Sequence, residues 1–432
     1  MTLNKIALCL AIAFTGTNST MAFAEDVQAA TVVMAEETSS DTVIIAEEVQ
    51  LVKTNNTIAE AVLAGKASID LNLRYEGVEQ ENDLKNANAL TLRTRLSYQT
   101  GVIAGFSSFV EFEDSRVVFG VDEYNNTLGK NTDYSTVADP ETTEFDQFLL
   151  QYKYKDITIK TGRMVMVFDD QRFVGHVGWR QDRQTFDGST FEYQPIDALT
   201  LNYNHINKRN RIFAEARDIE SDDNLFHVAY KTSVGTIKAY AYLLEVDNDT
   251  ENGLDTYGIR FSGGTTAGDQ KITYQLEYAQ QESNNLGVKY DADYILAEVG
   301  TSFSAVGVKL GFEQLGSDGG NYGFSTPLAT LHKFNGWSDQ FLNTPNQGIQ
   351  DLYAGINGKL FEGKWALIYH NFGVDVESNG VDDLGSEIDA VYTKNFAKNY
   401  TAGIKLAAYS AGDLASGKVD TNKVWIWLNA KF

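Results

Sequence analysis

The sequence predicts an all-β protein, a transmembrane antiparallel β-barrel of about 18 strands within a range of 16–20. Three observations predict it. From Ala67 onward, apolar and polar residues alternate with a period of two. The connections between alternating stretches are by turns long and short. The chain ends with Val424, Ile426, Leu428, Ala430 and Phe432 at every second position.

Residues 1–24 read as a cleaved export signal. Lys5 gives the positive start, Ile6 to Phe14 a short apolar run, and Ala22-Phe23-Ala24 the cleavage site before Glu25. The apolar run is too short to span a bilayer, which takes ~20 helical residues, and no later run comes close. Cleavage removes Cys9, the one cysteine, so the mature chain has no disulfide or thiolate metal site. With 59 acidic against 35 basic residues, nucleic acid is not expected as a partner. Only 4 prolines stand beside 36 glycines, 24 Phe, 22 Tyr and 5 Trp, a balance suited to many strands with tight turns.

Residues 25–66 form an acidic segment expected to be a flexible periplasmic tether, with an inward-folded plug as the alternative, and a short helix over 57–64 ending at Gly65. The barrel is expected over 67–432. Ile69, Leu71, Leu73 and Tyr75 alternate with Asp70, Asn72, Arg74 and Glu76, and Leu90, Leu92, Leu96 and Tyr98 with Thr91, Arg93, Arg95 and Ser97. Later stretches, such as Ile272/Tyr274/Leu276/Tyr278 and Val306/Val308/Leu310/Phe312, repeat the pattern. In a membrane barrel the apolar face meets lipid and the charged face lines the lumen. Aromatics near strand ends supply interfacial girdles. Long polar connections are expected at 76–88, 115–143, 207–224, 245–255, 314–350, 373–385 and 410–422, outside the cell, with short turns in the periplasm. The alternating terminal strand ending in Phe432 is what barrel assembly machinery is expected to read.

All 12 arginines lie between Arg74 and Arg260. Strand parity turns Arg74, Arg93, Arg95 and Arg260 toward the lumen, with Lys153, Lys160, Lys309 and Lys405. Guanidinium forks bind carboxylates in two-point fashion, so such a lumen suits anionic solutes. Glu111 and Glu113 also face inward. A hairpin centred near Ile103 sets Arg95 opposite Glu111 and Arg93 opposite Glu113, as wall-stiffening pairs. Residues 161–187 concentrate Arg163, Arg172, Arg180 and Arg183 with four aspartates, and are expected to fold into the pore. Parity sends Arg163 toward lipid unless a bulge at Gly162 shifts the register. Residues 323–350 carry His332, Lys333 and Trp337, which either stack on sugar rings and bind their carboxylates or pack as a lid.

The segment DDQRFVGHVGWRQDRQTFDG after Gly162-Arg163 resembles the alginate export porin family, as do LNLRYEGVEQEN, ALTLRTRLSYQTG, GFSSFVEFED and TPLATLHKFNGWSDQFLNTPNQGIQDLY. The resemblance covers roughly Ala67 to Phe432. It implies an 18-stranded barrel with an arginine-lined, anion-selective lumen, and points to Arg74, Arg93, Arg95, Arg163, Arg172 and Arg180. Two departures are Met164, where Gln is expected, and lysine replacing arginine in the second half.

No G-x-S-x-G, H-E-x-x-H or Walker loop occurs, and no cofactor or metal is expected. Asp247 to Gly253 resembles a calcium loop with its glycine one place late; it is expected to be a solvated acidic loop, with weak divalent-ion or lipopolysaccharide bridging as the alternative. The expected function is passive passage of anionic solutes such as oligouronates, sugar acids or other carboxylates. The alternatives are a barrel-anchored surface receptor or adhesin and, further off, a barrel hydrolase.

Overall fold

A computed structural model describes residues 55–432 apart from 249, 251 and 269. The export signal, most of the acidic segment 25–66 and two residues of the calcium-like stretch lie outside the described residues. A short helix, α1 (Ile58–Leu63), is capped by Thr57, whose Oγ1 accepts from the Glu60 N–H at 3.1 Å.

Eighteen strands follow: β1 (Lys66–Gln80), β2 (Ala87–Gln99), β3 (Phe106–Glu123), β4 (Thr142–Tyr154), β5 (Ile157–Met164), β6 (Thr185–Ile196), β7 (Leu199–Asn210), β8 (Ile219–Thr232) and β9 (Gly235–Glu245). The second half comprises β10 (Gly253–Ala267), β11 (Gln270–Asn285), β12 (Val288–Phe303), β13 (Val306–Leu315), β14 (Ile349–Leu360), β15 (Gly363–Ser378), β16 (Val381–Phe396), β17 (Tyr400–Ser410) and β18 (Thr421–Lys431). Each pairs antiparallel with its sequence neighbours, and β18 pairs with β1 to close the ring. Closure leaves no strand edge to meet hydrocarbon. At the seam Leu73 faces Leu428, and Phe432 exchanges backbone hydrogen bonds with Ile69 at 2.9 and 3.0 Å. Long connections share one rim with a few tight hairpins. Short turns and both barrel ends share the other.

The burial pattern inverts that of a soluble protein. Phe148, Leu150, Tyr257, Ile259, Leu276, Ile388 and Leu406 are exposed, while Arg74, Arg93, Arg95, Glu113, Arg260 and Lys405 are buried. The outward face is the apolar one and the lumen holds the charges, as a lipid-facing wall requires.

Two expectations are corrected. Residues 373–385 do not form a long loop. β15 and β16 run on past a bulge near Gly373 and join through Asn379 and Gly380, both at positive φ. Asn-Gly is the strongest tight-hairpin signal, because both positions tolerate that backbone. The β2–β3 hairpin is also displaced: Ala104 and Gly105 take positive φ and Ile103 bridges to Phe106. Arg95 therefore stands opposite Glu113, Arg93 opposite Ser115 and Glu111 opposite Ser97.

Candidate functional site

Two connections leave the long-loop rim and fold into the lumen. The first, residues 165–184, joins β5 to β6; the second, residues 316–348, joins β13 to β14. They meet each other through a parallel bridge between Val174 and Leu328, with Gly175 N donating to the Leu328 carbonyl at 2.8 Å and Thr330 N to the Gln171 carbonyl at 3.0 Å. A side chain at Gly175 would run into the Thr330 hydroxyl and Gln171, so glycine permits this approach.

Their apolar residues build a core inside the outer half of the barrel. Met166 and Val174 of the first loop and Phe324, Leu328 and Phe341 of the second pack on Tyr240, Tyr242, Tyr294, Leu296, Phe372 and Tyr409 of the wall. Burying each large side chain contributes about 1.5–3 kcal/mol, so the loops are held as a plug.

Around this core, arginines meet carboxylates. Arg172 reaches Glu313 on β13 at 2.7 Å and Asn335 at 3.2 Å. Arg180 contacts Glu76 on β1 at 2.9 Å and Asp339 of the second loop at 3.1 Å. Arg183 contacts Asp146 on β4 at 2.5 Å and also Glu111 on β3. The wall arginines are matched too. Arg74 pairs with Asp139, which also accepts from the Gln181 N–H, and Arg93 pairs with Asp70 at 3.0 Å. Arg95 pairs with Glu113, and Arg260 with Glu277 at 2.8 Å and Asp170 at 3.0 Å. Burial works against ionisation of Asp170, but Arg260 and Lys333 outweigh it and hold its carboxyl well below the usual range. Asp182 is the opposite case: burial, with Glu113 and Glu144 close by, pushes its carboxyl well above the usual range.

An aromatic cage closes the far side. The Lys405 ammonium on β17 lies 4.0 Å from the Trp337 ring centre and 4.2 Å from that of Trp179, with Trp425 at 5.4 Å. It also stands 2.9 Å from His332 Nε2. An ammonium has only protons to offer, so Nε2 accepts and the ring is the neutral Nδ1–H tautomer. Nδ1 then donates to Asp339 at 2.6 Å, which Lys423 also contacts at 2.6 Å.

Burial, opposed by Asp339 and helped by Lys405, lowers the His332 pKa to about 3. Asp339 is held well below the usual carboxylate range, because His332 and Lys423 outweigh its burial. The unfolded loop takes up a proton at His332 near pH 6.5, and the seated loop only near pH 3. Seating is therefore fully stable above pH 6.5 and weakens as pH falls toward 3. Loss of the Asp339 charge acts in the same direction at the acid end. Hydrogen-exchange protection of the residue 331–341 amides in folded protein, corrected for the intrinsic pH dependence of exchange, is expected to fall from pH 7.5 to pH 4.5, and His332→Asn to flatten that profile.

Sequence-derived candidates are thus distributed unevenly. Arg74, Arg93, Arg95, Arg172, Arg180, Arg183, Arg260, His332, Lys333 and Trp337 come together at the plug. Lys153 and Lys160 lie on the inward-facing row of β4 and β5, nearer the short-turn rim. Arg163 is corrected. Pairing through β4–β5–β6 is continuous, so Gly162 causes no register shift. Arg163 follows Ile157 and Ile159 on the outer face, bonding Asp187 at 2.7 Å and the Phe145 carbonyl at 3.2 Å. Glu76, Glu313, Asp139, Asp170 and Asp339 were not anticipated as partners. Inward parity marks the first two, Asp170 belongs to the charged segment 161–187, and no local signal marks Asp139 or Asp339.

The family described as alginate export matches residues 65–316. No curated protein matches the chain in sequence. Among solved structures, OccAB4 of Acinetobacter baumannii superposes with a TM-score of 0.68 at 13% identity, covering 85% of this chain and 98% of its own. The outer membrane protein OpdK of Pseudomonas aeruginosa gives 0.66 at 11%, covering 85% and 98%. OpdK solved with vanillate gives 0.66 at 12%, with the same coverage.

Proposed function

Because this outer-membrane barrel belongs to the alginate export family, we propose that it is a passive, non-catalytic channel for anionic solutes, oligouronates and smaller carboxylates among them. One observation carries the reading: the first inserted loop sets Arg172, Arg180 and Arg183 inside the lumen within the ring of wall residues Arg74, Arg93, Arg95 and Arg260. Each guanidinium already holds a protein carboxylate in a geometry that a solute carboxylate can take over. Lys153 and Lys160 line the approach from the periplasmic side. That OpdK is solved with vanillate, a small carboxylate, supports the solute class.

A lumen charge acts over a width comparable to the ~8 Å screening length of physiological salt, so a few groups there outweigh many on the outer loops. Reversal potentials across a salt gradient are expected to show anion preference. Arg172→Gln with Arg180→Gln reduces it more than Lys289→Gln, on an exposed rim lysine. Cation preference in the unaltered channel defeats the proposal.

A second reading has its own observation. The outer lumen is packed with an apolar core, as suits a plugged barrel that only anchors surface loops. A barrel that never conducts in a planar bilayer under any applied pH favours it.

A further inference from the structure

The mouth of the barrel at the short-turn rim carries more positive charge than its wall matches. Inward lysines stand there on six strands: Lys66 on β1, Lys153 on β4, Lys160 on β5, Lys231 on β8, Lys359 on β14 and Lys364 on β15. Lys66 has the parity of Asp70, Lys231 of His227, Lys359 of Asp351 and Lys364 of His370, all buried in the lumen. None of these lysine side chains makes an ion pair or hydrogen bond among the described residues. By contrast, Lys309 is matched by Glu298 at 3.0 Å and Lys431 by Asp70 at 3.7 Å. Lys359 and Lys364 are direct cross-strand partners. Their Cβ atoms stand about 4.5–5.5 Å apart, where like charges destabilise a hairpin. Glu362, the carboxylate of their turn, is taken by Lys394 at 3.3 Å. An anion between the two ammonium groups would turn the repulsion into attraction.

The chain brings such anions to the same rim. Residues 25–54 hold seven acidic residues against Lys53 alone of opposite sign. Within them one heptapeptide recurs 11 positions on, as Thr31 to Glu37 (TVVMAEE) and Thr42 to Glu48 (TVIIAEE), each ending in a glutamate pair. The point where this segment joins the barrel is fixed. Asn55 donates from its backbone and side-chain nitrogens to the Val102 carbonyl, both at 3.0 Å, and Gly101 N donates to the Ala61 carbonyl at 2.8 Å. A side chain at Gly101 would meet Asn55 and Ala64, so glycine lets α1 seat against the β2–β3 turn. A chain of 30 residues reaches roughly 30 Å by coil statistics. A ring of 18 strands, spaced ~4.8 Å and tilted ~40°, is about 36 Å across.

We propose that residues 25–54 turn into this mouth and lay the Glu36-Glu37 and Glu47-Glu48 pairs on two groups of lysines. One is the Lys359–Lys364 pair; the other is Lys153 and Lys160, on the opposite side of the ring. Tethering holds the glutamates at an effective concentration on the order of mM, so they occupy the lysines ahead of dilute solutes. The docked segment is a built-in competitor at the periplasmic entrance. Docking needs only the lysines and the glutamate pairs, whereas its effect on solute passage rests on the channel reading.

The test uses the chain from Glu25 to Phe432 in lipid vesicles, treated with a zero-length carbodiimide that joins neighbouring carboxylates and amines. Mass spectrometry of the peptides is expected to find Glu36, Glu37, Glu47 or Glu48 joined to Lys359, Lys364, Lys153 or Lys160. The yield is expected to fall several-fold between about 0.1 M and about 1 M salt, as the screening length shrinks from ~10 to ~3 Å. Mixed light and isotope-labelled protein is expected to give links within one chain. In planar bilayers, deletion of residues 26–54 is expected to raise conductance and anion preference. Glu36→Gln, Glu37→Gln, Glu47→Gln and Glu48→Gln together, at full length, are expected to do the same, which separates charge from bulk. No strand residue changes, so both variants keep the heat-modifiable band. If the barrel does not conduct, the links alone decide. No links to the inward lysines, links indifferent to salt, or links chiefly between chains overturn the docking. Links with unchanged conductance in a conducting channel overturn the competitor role.

Discussion

Phe432→Asp is expected to leave the protein misassembled, with the heat-modifiable folded band in outer-membrane fractions reduced by at least ~10-fold, a change corresponding to about 1.4 kcal/mol. Phe432 bonds Ile69 through its backbone and meets the Tyr400 ring edge-on at 5.8 Å, on the lipid face. Replacing the ring forfeits up to about 3 kcal/mol of apolar contact and puts a carboxylate at the membrane boundary. This residue also ends the strand that closes the ring. An open seam exposes the backbone groups of β1 and β18 to hydrocarbon, where each costs several kcal/mol. Phe432→Tyr keeps the ring and is expected to assemble normally. A full folded band for the Asp variant contradicts this account of closure.

Replacing residues 318–346 of the second inserted loop by a Gly-Gly link is expected to raise single-channel conductance several-fold. The loop supplies Phe324, Leu328 and Phe341 to the lumenal core and Asp339 to Arg180. Its removal leaves the first loop tied on one side only, inside a ring of 18 strands wide enough for an aqueous channel. Arg180→Ala is the milder version. It leaves Glu76, Asp139 and Asp339 crowded without the cation they share, and breaking a buried pair from one side costs about 3–5 kcal/mol. Both variants keep their strand hydrogen bonds, so heat-modifiable migration persists at a lower transition temperature. Unchanged conductance in both shows that the plug does not limit flow.

Much of this architecture is legible in the sequence, because period-two alternation is a local property. It placed Arg74, Arg93 and Arg95 inside and Leu90, Leu92 and Leu96 outside without knowledge of any partner strand. Register is less legible. It depends on how a turn folds: positive φ at Ala104 and Gly105 moved Glu113, not Glu111, opposite Arg95. Asn379-Gly380 likewise turned an expected loop into a hairpin. Least legible were the partners of the inserted arginines. Glu313 lies 141 positions from Arg172 and Asp339 159 from Arg180. Nothing local links such residues; the barrel brings them together by closing. Arg163 shows the converse. Its parity was readable and pointed outward, whereas the arginine-rich context suggested a lumenal role.

The cage around Lys405 also makes the protein its own optical sensor. Of the 5 tryptophans, Trp179, Trp337, Trp425 and Trp427 gather where both inserted loops meet β17 and β18, and only Trp365 stands apart. The His332 ring stacks on Trp179 at 5.5 Å. Intrinsic emission is therefore weighted toward the plug rather than averaged over the barrel. Seated loops give blue-shifted light from dry indoles, and released loops give red-shifted light, with no label attached. Plug motion can thus be timed by stopped-flow fluorescence in the same vesicles in which solute flux is measured.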